Sequence, residues 1–426
     1  MSRLILGQYE MLANPGSGSN GTVYKVRHHE QGYIRAIKIL NGYVEDKDSP
    51  KYKSFLKEYR TLTLLGNCSH PNIVSVHKAD LLENKAFYEM DYIDGTPLAN
   101  YVAAEGFLPL EEVLKCCRDV LSAMKYCHVG VADYLYDREI DHVPTDPKDG
   151  KKVLMDKATR ERLIAKYGIV HNDIHSSNII RNRYDGRYIL LDFGISMQGG
   201  EAIRASGLGE GALAYMAPEK ILNTEVSFRT DVYSIGVVMY EALTGRVPFP
   251  SKSKDGKDYS SKVMYDYHAT CTVPSIYDLR KAAYEKKMGP DAHYEKDYPD
   301  WLEKMILKCL SKRPEGRYAN ASEIYNDFWK EVNGYSQPGL AHIDANAVMI
   351  QELSAELEEK EKLMNEKDGV IGRQEEELHA WKTKFERLKQ LRRSKIAAVF
   401  SPVNIIIGIL AVVAAMLFIC PDAIIP

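Results

Sequence analysis

Three glycines near the amino terminus constrain the fold of this chain most. They are Gly16, Gly18 and Gly21 of GSGSNG, which stands beside short runs rich in valine, isoleucine and tyrosine, TVYKVRHH and YIRAIKIL. Such runs separated by turn residues predict β-hairpins. Glycines let a hairpin close over a phosphate group and donate backbone N–H groups to it without a side chain in the way. The chain is therefore expected to begin with a small antiparallel sheet that can hold a phosphorylated ligand.

The residues after this sheet change from strand-like to helical spacing. In SFLKEYRTLTLL the apolar residues Phe55, Tyr59, Leu62 and Leu65 fall on one side of a helix. From about residue 110 onward, helical segments such as LEEVLKCCRDVLSAMKYCH and DWLEKMILKCL dominate. A small sheet-rich part followed by a larger helical part predicts an α+β fold with two lobes.

The domain boundaries follow from these changes. A domain over residues 1–335 divides into a small lobe at about 1–92 and a large lobe at about 93–335. Within the large lobe, residues 129–166 are polar and follow a helix that is predicted to end near His128. They are predicted to form an inserted surface excursion, with a hairpin around DPKDG and a short helix after it.

Residues 345–395 carry a different repeat, which predicts a helical stalk. Apolar side chains recur every seven residues from Ile350 to Phe385, with charged residues between them. Sustained heptads predict a coiled coil, but two glycines near the centre weaken the helix. A parallel homodimer through residues 350–388 and a single helical stalk therefore both stay open.

The end of the sequence predicts one transmembrane helix at residues 396–420, followed by a short tail at 421–426. No charged residue occurs from Ile396 to Pro421, and about 20 apolar residues span a bilayer as a helix. Lysine and arginine are dense in residues 382–395, and positive flanks stay on the cytoplasmic side. The preceding domain is thus expected to face the cytoplasm, at a bacterial inner membrane or as a tail-anchored protein of an organelle membrane.

Charge and cysteine content exclude several kinds of site. The net charge of -3 gives no reason to expect nucleic acid as a partner. The seven cysteines include no CxxC pair. Neither a zinc site nor a disulfide framework is therefore expected, and a reducing compartment is predicted.

Several residues have the types and positions that phosphoryl transfer requires. Lys38 of AIK lies on the strand after the glycine-rich loop, where an amine can hold phosphates, and Glu58 on the predicted helix is its candidate partner. In HNDIHSSN, residues 171–178, an Asp and an Asn stand five positions apart, as a base and a metal ligand on one loop would. Asp192 follows the strand YILL, and a carboxylate there can bind Mg²⁺.

Taken in order, these motifs resemble those of eukaryotic-type (Hanks-type) serine/threonine protein kinases. They are GSGSNGTVYKV, AIK, HNDIHSSN, DFG, the APE of GALAYMAPE and the segment DVYSIGVVMYEALTG, and the resemblance covers about residues 9–332. It implies a two-lobed kinase fold, ATP and Mg²⁺ as cofactors, and transfer of the γ-phosphoryl group to hydroxyls of a protein substrate. With the predicted transmembrane helix, the chain would be a membrane-anchored protein kinase.

The resemblance also implies the catalytic roles. Asp173 would be the base for the substrate hydroxyl. Asn178 and Asp192 would hold Mg²⁺, and Lys38 paired with Glu58 would position ATP.

Further residues are implied to bind ATP or to support the fold. Glu219 would pair with Arg317, and Asp231 would brace the catalytic loop. Met90 would gate the back of the adenine pocket. The complete ATP-binding set is Gly16, Gly18, Gly21, Val23, Ala36, Lys38, Met90, Asp91 and Tyr92.

Three positions depart from the family's pattern. Asn172 replaces the Arg that usually receives an activation-loop phosphate, so the loop is of the non-RD type. His175 replaces the Lys that contacts the transferring phosphate, and Ala212 replaces the usual Thr partner of that Lys. Imidazole titrates near pH 6.5 in peptides, so a catalytic role for His175 as a cation predicts transfer that weakens from about pH 6 to 8. The alternative is a neutral His175 that donates one hydrogen bond.

Two other functions stay open. A pseudokinase that serves as a membrane-tethered scaffold would share the fold, but it usually lacks the Lys, the base or the metal-binding Asp. A small-molecule kinase of the aminoglycoside or choline kinase type also shares the fold, and HNDIH resembles its loop. That class lacks segments like APE and DVYSIG, which favours a protein kinase.

Overall fold

The computed structural model covers most of the predicted 1–335 domain. It describes residues 4–334 with gaps at 14–15, 19–20, 43–48, 50–51, parts of 54–69, 83, 140–154, 194–196, 199–211, 223, 225 and 290. The positions outside the described residues include Glu58, the predicted stalk at 345–395, the predicted transmembrane helix at 396–420 and the tail at 421–426. Among the residues that are described, no helix is both long and apolar enough to cross a bilayer.

The small lobe is built on one antiparallel sheet, so the predicted hairpins are confirmed. The strands lie in the order β1-β3-β4-β6-β5, and β2 also pairs with β3. Their bounds are β1 (Tyr9–Met11), β2 (Gly16–Gly18), β3 (Gly21–His28), β4 (Ile34–Leu40), β5 (Val76–Leu82) and β6 (Lys85–Asp91).

The two faces of this sheet bury different side chains. Successive side chains of a strand point to opposite faces, so Ala36 and Lys38 of β4 share one face and Ile37 points to the other. Ala36 joins the main hydrophobic core, which continues into the large lobe. Ile37 joins a smaller cluster with Val26 and Phe87. The face that carries Lys38 is therefore the one continuous with the core of the large lobe.

The predicted helix after β4 is present and is named α1 here. Its described helical residues lie between 52 and 65. Phe55 and Leu65 are buried, and the ring of Phe55 stacks on Tyr88 of β6 with the centroids 6.4 Å apart. Tyr59 packs against the same core, whereas Leu62 lies outside the described residues.

The large lobe consists mainly of helices, as its sequence spacing predicts. One of them is buried along most of its length, since every residue from Thr230 to Thr244 is buried. A helix that is buried on all sides belongs in a core, and its few polar residues, such as Asp231 and Glu241, have hydrogen-bond partners there. The helices are α2 (Leu98–Glu105), α3 (Leu110–Lys125), α4 (Val131–Glu139), α5 (Lys157–Tyr167), α6 (Pro218–Ile221), α7 (Phe228–Thr244), α8 (Ser261–Thr270), α9 (Ile276–Met288), α10 (Asp300–Cys309) and α11 (Ala321–Gly334).

The predicted surface excursion at 129–166 requires a correction. The chain does not leave its helix near His128, because a π-helical turn at Tyr126–Gly130 leads directly into α4. The cause is the apolar side chains Val131, Ala132 and Leu135, which are buried in the core. The predicted short helix is confirmed as α5, and the DPKDG segment lies outside the described residues.

Two small sheets of the large lobe position the loops that carry the candidate site. β9 (Ile179–Asn182) lies between β7 (Gly95–Pro97) and β10 (Tyr188–Leu190), while β8 (Ile169–Val170) pairs with β11 (Met197–Gln198). The loop 171–178 joins β8 to β9, and residues 191–193 follow β10. The backbone N–H of Leu191 donates to the carbonyl oxygen of Asn178 at 2.8 Å, which ties the two loops together.

Candidate active site

The predicted catalytic loop is held by the buried carboxylate of Asp231, in the first turn of α7. Its two oxygens accept hydrogen bonds from the backbone N–H groups of His171 and Asn172, at 2.7 and 2.8 Å. His128 lies with Nε2 3.0 Å from the same carboxylate, while its Nδ1 accepts from the N–H of Ala321. Because Nδ1 accepts, Nε2 is the nitrogen that donates to Asp231. The brace implied by the family resemblance is therefore present.

His171 links this loop to the segment after β10. The N–H of Asp173 donates to its Nδ1 at 3.3 Å, and its Nε2 lies 3.1 Å from the carbonyl oxygen of Leu191. Burial lowers the pKa of His171 below its ordinary value. The ring is then neutral, with one nitrogen accepting and the other donating. Phe193 is fully buried against this ring, with the centroids 4.4 Å apart.

Asp173 and Asn178 come together as their spacing predicts. The side-chain amide of Asn178 donates to the backbone oxygen of Asp173 at 3.0 Å. The Asp173 side chain is 22% exposed, and the Nε2 of His175 lies 3.7 Å from its carboxylate, too far for a hydrogen bond but close enough for attraction. Burial alone would raise the pKa of Asp173, but His175 and the amine of Lys220 outweigh it and the pKa is lowered. The candidate base is thus ionised.

Lys38 and Asp192 form an ion pair in the cleft between the lobes. The Lys38 Nζ lies 2.5 Å from Asp192 Oδ1, and Lys38 is only 3% exposed. An ammonium group that is removed from water needs such a partner. The predicted pairing of Lys38 with Glu58 stays a prediction, because Glu58 lies outside the described residues.

Two residues of the site have left-handed backbone conformations. They are Asn172 with φ of 68° and Asp192 with φ of 54°. Residues other than glycine rarely adopt this conformation, and those that do are concentrated at functional sites. In this chain both lie next to residues with proposed catalytic roles, one directly before Asp173 and the other in the Lys38 ion pair.

An apolar wall lies beside Lys38. Ala36 is directly opposite Met90 in the pairing of β4 with β6, and Val23 is opposite Lys38 in the pairing of β3 with β4. Ala36 and Met90 are buried in the main core, and Val23 packs against it. Apolar side chains next to a buried cation suit a ligand with a flat ring and phosphates. The assignment of Val23, Ala36 and Met90 to the ATP-binding set stays a prediction.

The remaining members of that set occupy the sheet in different ways. Gly16 and Gly18 form β2 and pair with β3. A Cβ atom at Gly21 would lie 2.6 Å from the carbonyl oxygen of Ile39, so close strand packing alone already requires glycine there. The packing of β3 against β4 therefore explains the glycine at position 21, and no contact with a phosphate is needed to explain it.

Asp91 and Tyr92 contact other side chains of the small lobe. The Asp91 carboxylate lies 2.7 Å from Nε2 of His77. The Tyr92 ring lies under the Nζ of Lys25, at 4.0 Å from the centroid. The N–H of Asp91 donates to the carbonyl oxygen of Ser75 at 3.0 Å. A role of Asp91 and Tyr92 in binding ATP stays a prediction.

The predicted Mg²⁺ ligands offer oxygen atoms in two neighbouring loops. Asn178 donates from its amide nitrogen to Asp173, which leaves its amide oxygen for a cation, and Asp192 supplies a carboxylate. Within the described residues, no group of three or more His, Cys, Asp or Glu side chains forms a metal site. Mg²⁺ needs no such group, because it usually binds one or two carboxylates together with phosphates and waters. The residues therefore fit Mg²⁺ bound with a nucleotide.

Glu219 and Arg317 form the buried ion pair that the resemblance implies. Two parallel hydrogen bonds join the guanidinium group to the carboxylate, at 2.7 and 3.0 Å. Arg317 also donates to the backbone oxygen of Arg229 at 3.0 Å. The pair attaches the short helix α6 to the body of the large lobe.

A buried polar network beside the catalytic loop was missed from the sequence. The hydroxyl of Tyr215 donates to Glu241 at 2.7 Å and lies 2.7 Å from the hydroxyl of Ser176. Burial raises the pKa of Glu241 and also that of Tyr215. The available signals were the tyrosine of GALAYMAPE and the glutamate within DVYSIGVVMYEALTG, but neither indicates its partner.

Lys220 was also missed, although it directly follows APE. Its amine donates a hydrogen bond to the backbone oxygen of Asn172 in the catalytic loop. A lysine at the end of a familiar motif looks like a solvated residue, and only the fold brings it to this loop.

Comparison with known proteins agrees with this geometry. Residues 9–328 match the family described as protein tyrosine and serine/threonine kinase. The chain belongs to the protein kinase family. The match includes both lobes of this kinase and every residue of the candidate site.

Curated relatives of the kinase are bacterial serine/threonine kinases. A probable serine/threonine-protein kinase of Clostridium perfringens is 26% identical over 331 residues, which cover 78% of this chain and 39% of the relative. PknH, a serine/threonine-protein kinase of Mycobacterium tuberculosis, is 24% identical, with 75% and 41% covered. Serine/threonine-protein kinase A of Synechocystis sp. is 28% identical, with 74% and 51% covered. The alignments thus span between about two fifths and one half of the length of these relatives.

Proposed function

We propose that this kinase transfers the γ-phosphoryl group of ATP to serine and threonine hydroxyls of a protein substrate. The observation that carries the proposal is the surroundings of Asp173, an ionised and partly exposed carboxylate held beside Asn178. The loop that bears it is tied to the segment bearing the Lys38–Asp192 ion pair. The names of the bacterial relatives, which are serine/threonine kinases, favour serine and threonine over tyrosine as the residues that receive the phosphoryl group.

Each residue of this group would have one role. Asp173 accepts or orients the proton of the substrate hydroxyl as that oxygen bonds to the γ-phosphorus, while the bond between this phosphorus and the β–γ bridging oxygen breaks and ADP leaves. Lys38 holds the α- and β-phosphates of ATP. Asn178 and Asp192 offer oxygen ligands to Mg²⁺, which neutralises charge on the phosphates when it is bound.

The two alternatives lack a specific observation in their favour. A pseudokinase usually lacks the Lys, the base or the metal-binding Asp, and here all three types are present and two of them form an ion pair. A small-molecule kinase would not need the Glu219–Arg317 pair, which attaches the APE segment to the large lobe. Both alternatives are outcomes of the following test.

The test is phosphoryl transfer by the full chain with labelled ATP, Mg²⁺ and generic protein substrates. We expect label on phosphoserine and phosphothreonine of protein, and at least a hundredfold loss of label with Asp173→Asn. Nucleotide binding without transfer would support the pseudokinase. Label on aminoglycosides or choline but not on protein would support the small-molecule kinase.

We also propose that residues 396–420 anchor the kinase in a membrane, with the catalytic domain on the cytoplasmic side. The support is the charge-free sequence and the basic residues before it. The expected result is that the full chain stays with membranes after alkaline extraction, whereas a chain ending at residue 395 is released. Release of both chains would contradict the anchor.

The heptads at 350–388 support a further proposal, a parallel homodimer at the membrane. Two kinase domains held together have a high local concentration, which favours phosphorylation of one copy by the other. Deletion of residues 345–426 is expected to reduce autophosphorylation at low protein concentration. Equal autophosphorylation at matched concentration would favour the single helical stalk.

A further inference from the structure

Lys220 lies where a positive charge of the usual kinase pattern is missing. The family's Arg and Lys on either side of the base are replaced by Asn172 and His175. The amine of Lys220 reaches the same loop from α6 and donates to the carbonyl oxygen of Asn172. That oxygen belongs to the peptide group that joins Asn172 to Asp173. The hydrogen bond therefore fixes the plane of the peptide directly before the candidate base.

Two carboxylates, those of Asp173 and Asp231, are close enough to Lys220 to act on its charge. Lys220 is partly buried, and burial lowers its pKa, while the charges of Asp173 and Asp231 oppose that change. Asp231 is already bound by the N–H groups of His171 and Asn172. Asp173 has no such backbone donors among the described contacts of its carboxylate, so the Lys220 charge acts mainly on the base.

The position of Lys220 is itself fixed by the fold. It follows Glu219, whose carboxylate is held by two hydrogen bonds from Arg317. The short helix α6 thus has one residue attached to the body of the large lobe and the next attached to the catalytic loop. Since Asn172 adopts a left-handed conformation with φ of 68°, a fixed donor on its carbonyl stabilises a backbone turn that is otherwise unfavourable.

We propose that Lys220 is a positioning residue of the catalytic loop, which supplies beside Asp173 the fixed positive charge that the usual Arg and Lys supply in this family. It orients the peptide before Asp173 through the hydrogen bond from its amine to the carbonyl oxygen of Asn172. This inference rests on the proposed function, because its effect is measured on phosphoryl transfer.

The test compares full-length Lys220→Met, which keeps the length of the side chain without its charge, with Lys220→Arg. Lys115→Met is the matched control, because the amine of Lys115 also donates to a backbone oxygen, that of Asp185 at 3.4 Å, away from the site. We expect Lys220→Met to lower kcat by about 10- to 100-fold, since small displacements of a catalytic group have large effects on rate. The KM for ATP is expected to stay within about twofold, because the residue acts on positioning and not on ground-state binding.

The Lys220→Arg variant tests whether the charge of the side chain or only its packing determines kcat. Lys220→Arg is expected to recover a substantial part of kcat, although not all of it, since guanidinium and ammonium groups differ in shape. Lys115→Met should retain the kcat of the unmodified kinase. If Lys220→Met fails to fold by its melting curve, Lys220→Gln replaces it in the comparison with Lys220→Arg.

The outcomes are distinct from those for the proposed function. Equal kcat values for Lys220→Met and Lys115→Met would overturn the role of Lys220 and leave the kinase activity standing. The same holds if Lys220→Arg is as impaired as Lys220→Met, because charge would then not matter. Absence of transfer by the unmodified chain would overturn both proposals together.

Discussion

Asp173 and Asp231 are two carboxylates of the proposed catalytic centre that are held in opposite ways. Asp231 is buried in α7 and accepts hydrogen bonds from two backbone N–H groups and from His128. Asp173 keeps about a fifth of its side chain exposed, and its nearest described ionic partner, His175, is 3.7 Å away. One carboxylate is buried with three close donors, and the other is accessible to a substrate.

The difference suits the two carboxylates to different tasks. One supports the loop, and the other can take part in the reaction. A carboxylate with three close donors stabilises the loop, and since Asp231 is buried, its remaining lone pair does not face solvent. A carboxylate kept ionised mainly by charges at longer range retains its hydrogen-bonding capacity for the substrate hydroxyl. We therefore expect substitutions at Asp231 to change stability and substitutions at Asp173 to change rate.

The largest effect is expected for Asp173→Asn. The amide has nearly the same shape but cannot accept the hydroxyl proton, so kcat should fall by about 10²- to 10⁴-fold. Because the described contacts of the side chain are few, the melting temperature should stay unchanged. Kinetics and a melting curve on the same preparation check both statements. A large fall in melting temperature would place Asp173 with Asp231 among the structural carboxylates.

Asp231→Ala, in contrast to Asp173→Asn, should lower the stability of the fold. It leaves two backbone N–H groups and His128 without their buried acceptor, so the free energy of unfolding should decrease by about 3 kcal/mol. Activity should also fall, because the catalytic loop loses its support. Denaturant unfolding measures the change. The control is Asp258→Ala, which removes an exposed 3.6 Å contact with Lys252 and should leave stability nearly unchanged. Equal stability of the two variants would contradict the comparison.

Glu219→Gln tests at α6 whether a carboxylate with several donors stabilises the fold. The carboxylate accepts two hydrogen bonds from Arg317, whose side chain is fully buried. An uncharged partner leaves the buried guanidinium uncompensated, which we expect to destabilise the fold by about 2 to 3 kcal/mol. The measurement is again denaturant unfolding. Since α6 also carries Lys220, we expect kcat to fall as well, and an unaffected kcat would separate the ion pair from the catalytic loop.

His175 and Lys220 are expected to act on the same carboxylate. The double substitution His175→Ala with Lys220→Met should therefore differ from the sum of the two single effects on kcat by at least about 0.5 kcal/mol. The physical reason is that each group lowers the pKa of Asp173, so the loss of one changes what the other contributes. Kinetics of all four proteins measures the coupling. Strict additivity would show that the two residues act independently.

The parts of this centre that were predictable are those whose geometry is local. Strand alternation places Ala36 and Lys38 on one face, and a spacing of five places Asp173 beside Asn178. Lys220 escaped prediction because its contact with Asn172 spans 48 positions of sequence and is created by the packing of the large lobe.

The helix that continues past His128 escaped prediction for a different reason. Residues 129–166 were interpreted as one polar segment, although the buried Val131 and Leu135 stand seven residues after Met124 and His128 and so continue the spacing of the preceding helix. Local spacing therefore predicted most of the helices and strands and the contact between Asp173 and Asn178. It could not predict the contacts between distant elements that control the catalytic loop.

The smallest effect is expected for Arg160→Ala, which removes an ion pair between helices α4 and α5. Arg160 donates two hydrogen bonds to Asp133, at 2.8 and 2.7 Å, from Nε and Nη2. The pair is bidentate like that of Arg317 with Glu219, in which Nη1 and Nη2 donate. The two pairs differ in burial, since the side chains of Arg160 and Asp133 are 43% and 42% exposed. Water screens an exposed pair and solvates either partner alone, so its loss should cost only about 0.2 to 1 kcal/mol and leave kcat unchanged. Denaturant unfolding beside Glu219→Gln checks this. A loss as large as that of Glu219→Gln would show that bond geometry, and not burial, determines the stability of these pairs.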